Sequence, residues 1–88
     1  MSERQVHVGS KVGLHARPAS LFAKAVANVG VPVQIAKDDK PPVNARSMLG
    51  LLTLGAEYGD MVTLYAEGEG ADAALDQLAA MLGRELDE

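Results

Sequence analysis

The chain switches repeatedly between two hydrophobic periods, and this switching constrains its fold more than any other feature. Apart from a weaker strand segment at residues 41–45, apolar residues alternate with polar ones in three short segments, as in half-buried strands. In three others they recur every three to four residues, which is typical of helices that bury one face. The order of the segments predicts strand, helix, strand, strand, helix, strand and helix. A chain of 88 residues has room for a single domain, which we assign to residues 1–88.

Proline and serine residues indicate where several of these elements begin. Pro18 belongs in a first helical turn, where its missing N–H has no intrahelical acceptor to lose, and it predicts a helix that starts near Ala16. Ser47 is a suitable N-cap for a second, short helix. Pro41 and Pro42 cannot donate to a strand ladder, so we expect the third strand at an edge of the sheet.

The pattern predicts an α+β fold, an open-faced two-layer sandwich. Three one-sided helices can share one apolar surface if the strands form an antiparallel sheet, and the helices then cover one face of that sheet. The other face meets water. The side chains expected on this open face are Gln5, His7, Gln34, Thr63 and Tyr65. From the second helix we assign Leu51 and Leu54 to the core. The local pattern does not fix the order of the strands.

Charge and aromatic content argue against nucleic-acid binding. The chain has 8 basic and 12 acidic residues, a formal net charge of −4, whereas phosphate backbones are bound by excess Lys and Arg. One Phe, two Tyr and no Trp are too few for a base-stacking platform. Lys and Arg concentrate in the first half of the chain. This concentration fits either an acidic protein partner or an ordinary solvated surface.

The sequence gives no indication of secretion, membrane insertion or metal binding. The N-terminus is polar, and no apolar run reaches the roughly 18 residues that a bilayer span needs. We therefore expect a soluble cytoplasmic protein. There are no cysteines, and neither histidine has a carboxylate at a ligand-like spacing. We expect neither a metal nor a cofactor.

The run from Gly13 to Ala19, GLHARPA, carries the candidate chemistry. It places His15 at the N-cap of the first helix, although histidine is not a favoured cap. A helix N-terminus offers unpaired N–H groups and partial positive charge, which together bind anions. A phosphoryl group on His15 could be received by the N–H groups of Ala16 and Arg17 and by the Arg17 guanidinium. From these residues alone, an exposed histidine without a function is an equal alternative.

Two stretches resemble motifs of the HPr family, the histidine-containing phosphocarriers of the bacterial sugar phosphotransferase system. Residues 13–19 are similar to the active-site signature of the family, and residues 44–56 resemble its regulatory-serine segment. The resemblance extends over nearly the whole chain. It implies four antiparallel strands in the order 1-4-2-3 with three helices on one face.

The resemblance also implies a relay. His15 would accept, on its Nδ1 nitrogen, a phosphoryl group from the phosphohistidine of Enzyme I, which phosphoenolpyruvate charges. Arg17 would contact that group, and His15 would pass it to a histidine of a sugar-specific IIA domain. Ser47 matches the serine that a dedicated kinase phosphorylates in some Gram-positive bacteria. The apolar patch that docks partners matches Met48, Leu49 and Leu52.

A carrier of this kind is not an enzyme that turns over substrate. No second acid or base accompanies His15 in the sequence, and the partners would supply the catalytic machinery. We expect a monomer, because the carrier must meet several partners in turn. One alternative is a regulatory protein of the same fold that acts through Ser47 and binds a transcription factor or an enzyme. Another, a small ligand- or RNA-binding module, is disfavoured by the charge and by the small interior.

Overall fold

A computed structural model describes residues 2–11, 13–38 and 40–84, and its elements follow the predicted order. They are β1 (Ser2–His7), α1 (Ala16–Val29), β2 (Val33–Lys37), β3 (Val43–Asn44), α2 (Met48–Leu54), β4 (Met61–Ala66) and α3 (Ala71–Leu82). Among the described residues, no helix is long and apolar enough to cross a membrane.

The strands form one antiparallel sheet in the order β1-β4-β2-β3, as the family resemblance implied. β4 pairs along its whole length with β1, from Ser2 opposite Ala66 to His7 opposite Met61. On its other side β4 pairs with β2. β3 pairs only through Val43 and Asn44 and lies at the edge, which confirms the position expected from the two prolines before it.

The core lies between the helices and one face of the sheet. Its largest fully buried side chains include Phe22, Ile35, Leu51, Leu64, Leu75, Leu78 and Leu82. Leu51 and Leu54 are both buried, as predicted. On the opposite face Gln5, His7 and Gln34 are exposed, whereas Thr63 and Tyr65 are half-buried. The sheet is therefore covered by helices on one side only.

The loop that follows β1 leads directly into α1, and it packs against the end of α3. The Gly9 N–H donates to the Leu82 carbonyl oxygen at 2.9 Å. A Cβ atom at position 9 would lie 2.2 Å from the Gly83 carbonyl oxygen, so only glycine permits this approach. The contact fixes the start of the loop that carries His15.

Candidate functional site

His15 occupies the N-cap of α1 and presents an exposed imidazole. Its backbone is extended, with φ −87° and ψ −170°, and its side chain makes no capping hydrogen bond. Its carbonyl oxygen accepts the first helical hydrogen bond, from the Ala19 N–H at 2.9 Å. The side chain is 64% exposed. The backbone of His15 is thus fixed by the helix while the ring is accessible to a partner protein.

The first turn of α1 provides the features of an anion site. The N–H groups of Ala16 and Arg17 have no intrahelical acceptor, as in any first turn, and the next residue, Pro18, has no N–H. The first turn contains no acidic side chain that would offset the positive end of the helix dipole. Arg17 is exposed. The structure therefore places the residues predicted to hold a phosphoryl group side by side at one helix end.

The loop before His15 is joined to the turn between α2 and β4. The Leu14 N–H donates to the Ala56 carbonyl oxygen at 2.9 Å. Gly13 has φ +74°, and a Cβ atom there would lie 2.6 Å from the same oxygen, so both the conformation and the space require glycine. This junction brings Glu57 to His15, with Oε2 3.9 Å from Nε2. The expectation that no acid accompanies His15 is therefore wrong.

An ion pair holds the turn that carries Glu57. Lys37 Nζ lies 3.0 Å from Asp60 Oδ2 and donates to the Gly55 carbonyl oxygen at 2.9 Å. Asp60 Oδ2 also accepts from the Glu57 N–H at 2.9 Å. This backbone hydrogen bond, together with the Lys37 ammonium, lowers the pKa of Asp60. The hydrogen bond to Asp60 in turn raises the pKa of Lys37.

The second predicted motif lies on α2. Ser47 caps this helix, because its Oγ accepts from the Gly50 N–H at 3.0 Å. Leu49 is 76% exposed, while Met48 and Leu52 are 38% and 40% exposed. The apolar patch that the family resemblance implied, residues 48, 49 and 52, therefore lies at the surface, beside a capped helix end.

His7 does not join the site and lies exposed at the end of β1. Within the described ranges, no group of three or more His, Cys, Asp or Glu side chains could hold a metal ion. Sequence reasoning missed Glu57, because a glutamate in a connection between two glycines has no periodicity and no motif. Only the hydrogen bonding between two segments that are distant in sequence places it beside His15.

Comparisons with known proteins agree with this architecture. The sequence profile of the family described as PTS HPr component phosphorylation site matches residues 2–84. "Phosphocarrier protein HPr" of Streptomyces coelicolor is 53% identical over 88 residues, which cover 100% of this chain and 95% of that protein. "HPr-like protein Crh" of Bacillus subtilis is 42% identical over 86 residues, 98% of this chain and 100% of that protein. The crystal structure of HPr-C-His from Thermoanaerobacter tengcongensis has a TM-score of 0.90 at 35% identity, over 100% of this chain and 98% of that one.

Proposed function

This chain belongs to the HPr phosphocarrier family, and we propose that it carries a phosphoryl group on His15 between Enzyme I and sugar-specific IIA domains. One observation carries the proposal. The exposed imidazole of His15 lies at the N-terminus of α1, where the first-turn N–H groups have no intrahelical acceptor. HPr proteins are relay carriers and not enzymes that turn over substrate, and this site matches such a role.

Acceptance of the phosphoryl group is a nucleophilic substitution at phosphorus. The Nδ1 lone pair of neutral His15 forms the new N–P bond, and the electron pair of the old N–P bond returns to the histidine of Enzyme I. Negative charge on the phosphoryl oxygens is stabilised by the N-terminus of α1, by the N–H groups of Ala16 and Arg17 and by the Arg17 guanidinium. Phosphoryl transfer is driven mainly by positioning and charge stabilisation of this kind.

Donation runs the same chemistry towards a histidine of a IIA domain. The partner docks on the exposed patch of Met48, Leu49 and Leu52, since an exposed apolar cluster on a small domain commonly marks an interface. Because the relay starts from phosphoenolpyruvate inside the cell, we place the chain in the cytoplasm. Residues 1–88 would act as one monomeric domain without a cofactor of its own.

A regulatory role through Ser47 is the second candidate. Its hydroxyl caps α2 immediately before Met48 and Leu49 of the proposed docking patch. A phosphate there would add about −1.5 to −2 charge beside the apolar surface. A serine kinase would supply it, and the modified chain would favour a transcriptional regulator over Enzyme I.

The carrier function is tested by incubation with Enzyme I, phosphoenolpyruvate and magnesium, followed by intact-mass analysis. We expect the mass of one phosphoryl group to be gained, and the bond to be labile in acid and stable in alkali. His15→Ala should gain none and stay folded, because the side chain is exposed, whereas His7→Ala should be charged normally. A folded wild-type chain that gains nothing, beside a known HPr that is charged in the same assay, would contradict the proposal.

A further inference from the structure

Glu57 faces the ring of His15 on the side away from the reacting nitrogen. We propose that the Glu57 carboxylate keeps a proton on Nε2 of His15, so that Nδ1 both gains and releases the phosphoryl group. Glu57 is then a positioning residue that acts through the imidazole. The inference rests on the proposed carrier function, and it adds a residue that the HPr signature around His15 does not contain.

Distance and direction support this role. Glu57 Oε2 lies 3.9 Å from Nε2, and both side chains are exposed, at 65% and 64%. The separation is about 1 Å longer than a hydrogen bond, and contacts of this length often tighten when a site binds its partner. A carboxylate that accepts from one ring nitrogen selects the tautomer in which the other nitrogen has a free lone pair.

The backbone of Glu57 is fixed, so the carboxylate is presented from a stable turn. The Glu57 N–H donates to Asp60 Oδ2 at 2.9 Å, and the Asp60 N–H donates back to the Glu57 carbonyl oxygen at 3.0 Å. The preceding residue, Ala56, accepts from the Leu14 N–H beside His15. Glu57 and His15 are therefore held on two segments that are hydrogen-bonded to each other.

The other charged groups near His15 have different partners or the opposite sign, so Glu57 is the carboxylate that acts on the ring. Asp60 is engaged by Lys37 and by the Glu57 N–H. Arg17 and the N-terminus of α1 are positive and belong to the phosphoryl side of the site. Within the described ranges, the Glu57 carboxylate is the acidic group that lies within ion-pair distance of the His15 ring.

The chemistry balances with the proton on Nε2 throughout. When neutral His15 attacks phosphorus through Nδ1, the ring becomes a phospho-imidazolium that still carries the Nε2 proton, and the nearby carboxylate stabilises its positive charge. When an acceptor nitrogen attacks, the electron pair of the N–P bond returns to Nδ1, and neutral imidazole leaves. Without the Nε2 proton the leaving group would be an imidazolate, which leaves poorly.

The test compares Glu57→Gln with the wild type by three measurements. We expect phosphorylation of His15 by Enzyme I to slow about two- to fivefold, which is the effect of losing one exposed ion pair. We expect the isolated phosphohistidine to hydrolyse more slowly at neutral pH by a similar factor. We also expect the ¹⁵N chemical shifts of the unphosphorylated ring to show a smaller population of the Nε2–H tautomer. Glu67→Gln, an exposed glutamate just beyond the opposite end of β4, is the matched control.

Slower charging combined with a longer-lived phosphohistidine is a signature that mere damage to the fold would not produce. An unchanged tautomer population, or a phosphohistidine in Glu57→Gln that is as short-lived as in the wild type, would overturn the inference. If the wild-type chain is not charged at all, the carrier function fails by itself. The tautomer measurement needs no phosphoryl group, so it still decides whether Glu57 acts on Nε2.

Discussion

Two exposed histidines in this chain differ only in what surrounds them. His7 ends a strand on the open face of the sheet, whereas His15 lies at a positive helix end beside a carboxylate. An imidazole becomes a useful nucleophile when neighbouring groups stabilise the charge it receives and fix its tautomer. The surroundings of each histidine, and not its exposure, therefore separate a candidate phosphoryl acceptor from an ordinary surface residue.

Arg17 provides the first prediction at this scale. Arg17→Ala should slow charging by Enzyme I roughly ten- to hundredfold, since a hydrogen bond to a charged group contributes about 1.5–3 kcal/mol. Arg17→Lys should recover only part of the rate, because an ammonium keeps the charge but loses the planar fork. A time course of intact mass measures both.

The fold should not change in either variant, because Arg17 is exposed. Lys40→Ala removes an exposed basic residue from the connection between β2 and β3, and it is the control for net charge. If Enzyme I phosphorylates Arg17→Ala and Lys40→Ala at equal rates, Arg17 acts only through the net charge of the chain and not through a specific contact with the phosphoryl group.

The sequence revealed one part of the candidate site and concealed another for a physical reason. His15, Ala16 and Arg17 are consecutive, so the helix start that Pro18 indicates was enough to place them together. Glu57 reaches His15 only because the turn after α2 is hydrogen-bonded to the loop before α1. A contact of that kind depends on the tertiary arrangement, which no local pattern contains.

Among the elements, α2 shows how one short helix can serve both core and surface. Leu51 and Leu54 are three residues apart and share the buried face, while Leu49 and Leu52 lie on the exposed side. The assignment of Leu51 and Leu54 to the core is confirmed, and the exposed residues match the patch that the family resemblance implied. The short length of β3 was less predictable, since the prolines indicated an edge strand but not a ladder of only two residues.

Ser47 gives the prediction that belongs to this scale. Ser47→Ala removes the cap on the Gly50 N–H and should lower the free energy of unfolding by about 1 kcal/mol, within a range of roughly 0.5–2. Ser47→Asp should keep the stability, since aspartate caps equally well, but it places negative charge beside the docking patch. Denaturant unfolding measures the first effect, and the rate of charging by Enzyme I measures the second.

The two variants therefore separate the structural role of Ser47 from its regulatory role. We expect Enzyme I to phosphorylate Ser47→Ala at the wild-type rate and Ser47→Asp more slowly. If Enzyme I phosphorylates Ser47→Asp as fast as the wild type, negative charge at this position does not control docking. The regulatory candidate then loses its support.

In the molecule as a whole, strand order creates the site. Because β1 lies beside β4, the loop that leaves β1 meets the turn that enters β4, and His15 and Glu57 come from these two connections. The hydrophobic pattern predicted a one-sided antiparallel sheet but not this order. Only the family resemblance implied the order, since strand pairing depends on contacts between distant segments.

The ion pair of Lys37 and Asp60 yields a prediction about pH. Asp60 has a lower pKa in the fold than in the unfolded chain, so its contribution to stability is present above the ordinary carboxyl range. That contribution is lost as the pH falls below about 4 and Asp60 becomes protonated. Asp60→Asn should therefore be less stable than the wild type at pH 7, with the difference shrinking towards pH 2.

Denaturant unfolding at several pH values checks this expectation. Asp76→Asn, which alters an ion pair with Arg4 at a carboxylate that is 68% exposed, should change stability little at any pH. A difference between Asp60→Asn and the wild type that stays constant from pH 7 to pH 2 would show that the charge of Asp60 does not stabilise the fold.

The most direct test of the central claim is a phosphoryl chase. The chain phosphorylated on His15 is separated from Enzyme I and phosphoenolpyruvate. It is then mixed with a IIA domain that a known HPr phosphorylates, and the intact mass of both proteins is followed over time. We predict that the phosphoryl group leaves His15 and appears on the IIA domain in equal amount, faster than it hydrolyses in the chain alone. A phosphoryl group that stays on the chain until it hydrolyses, while the known HPr transfers under the same conditions, would contradict the carrier function.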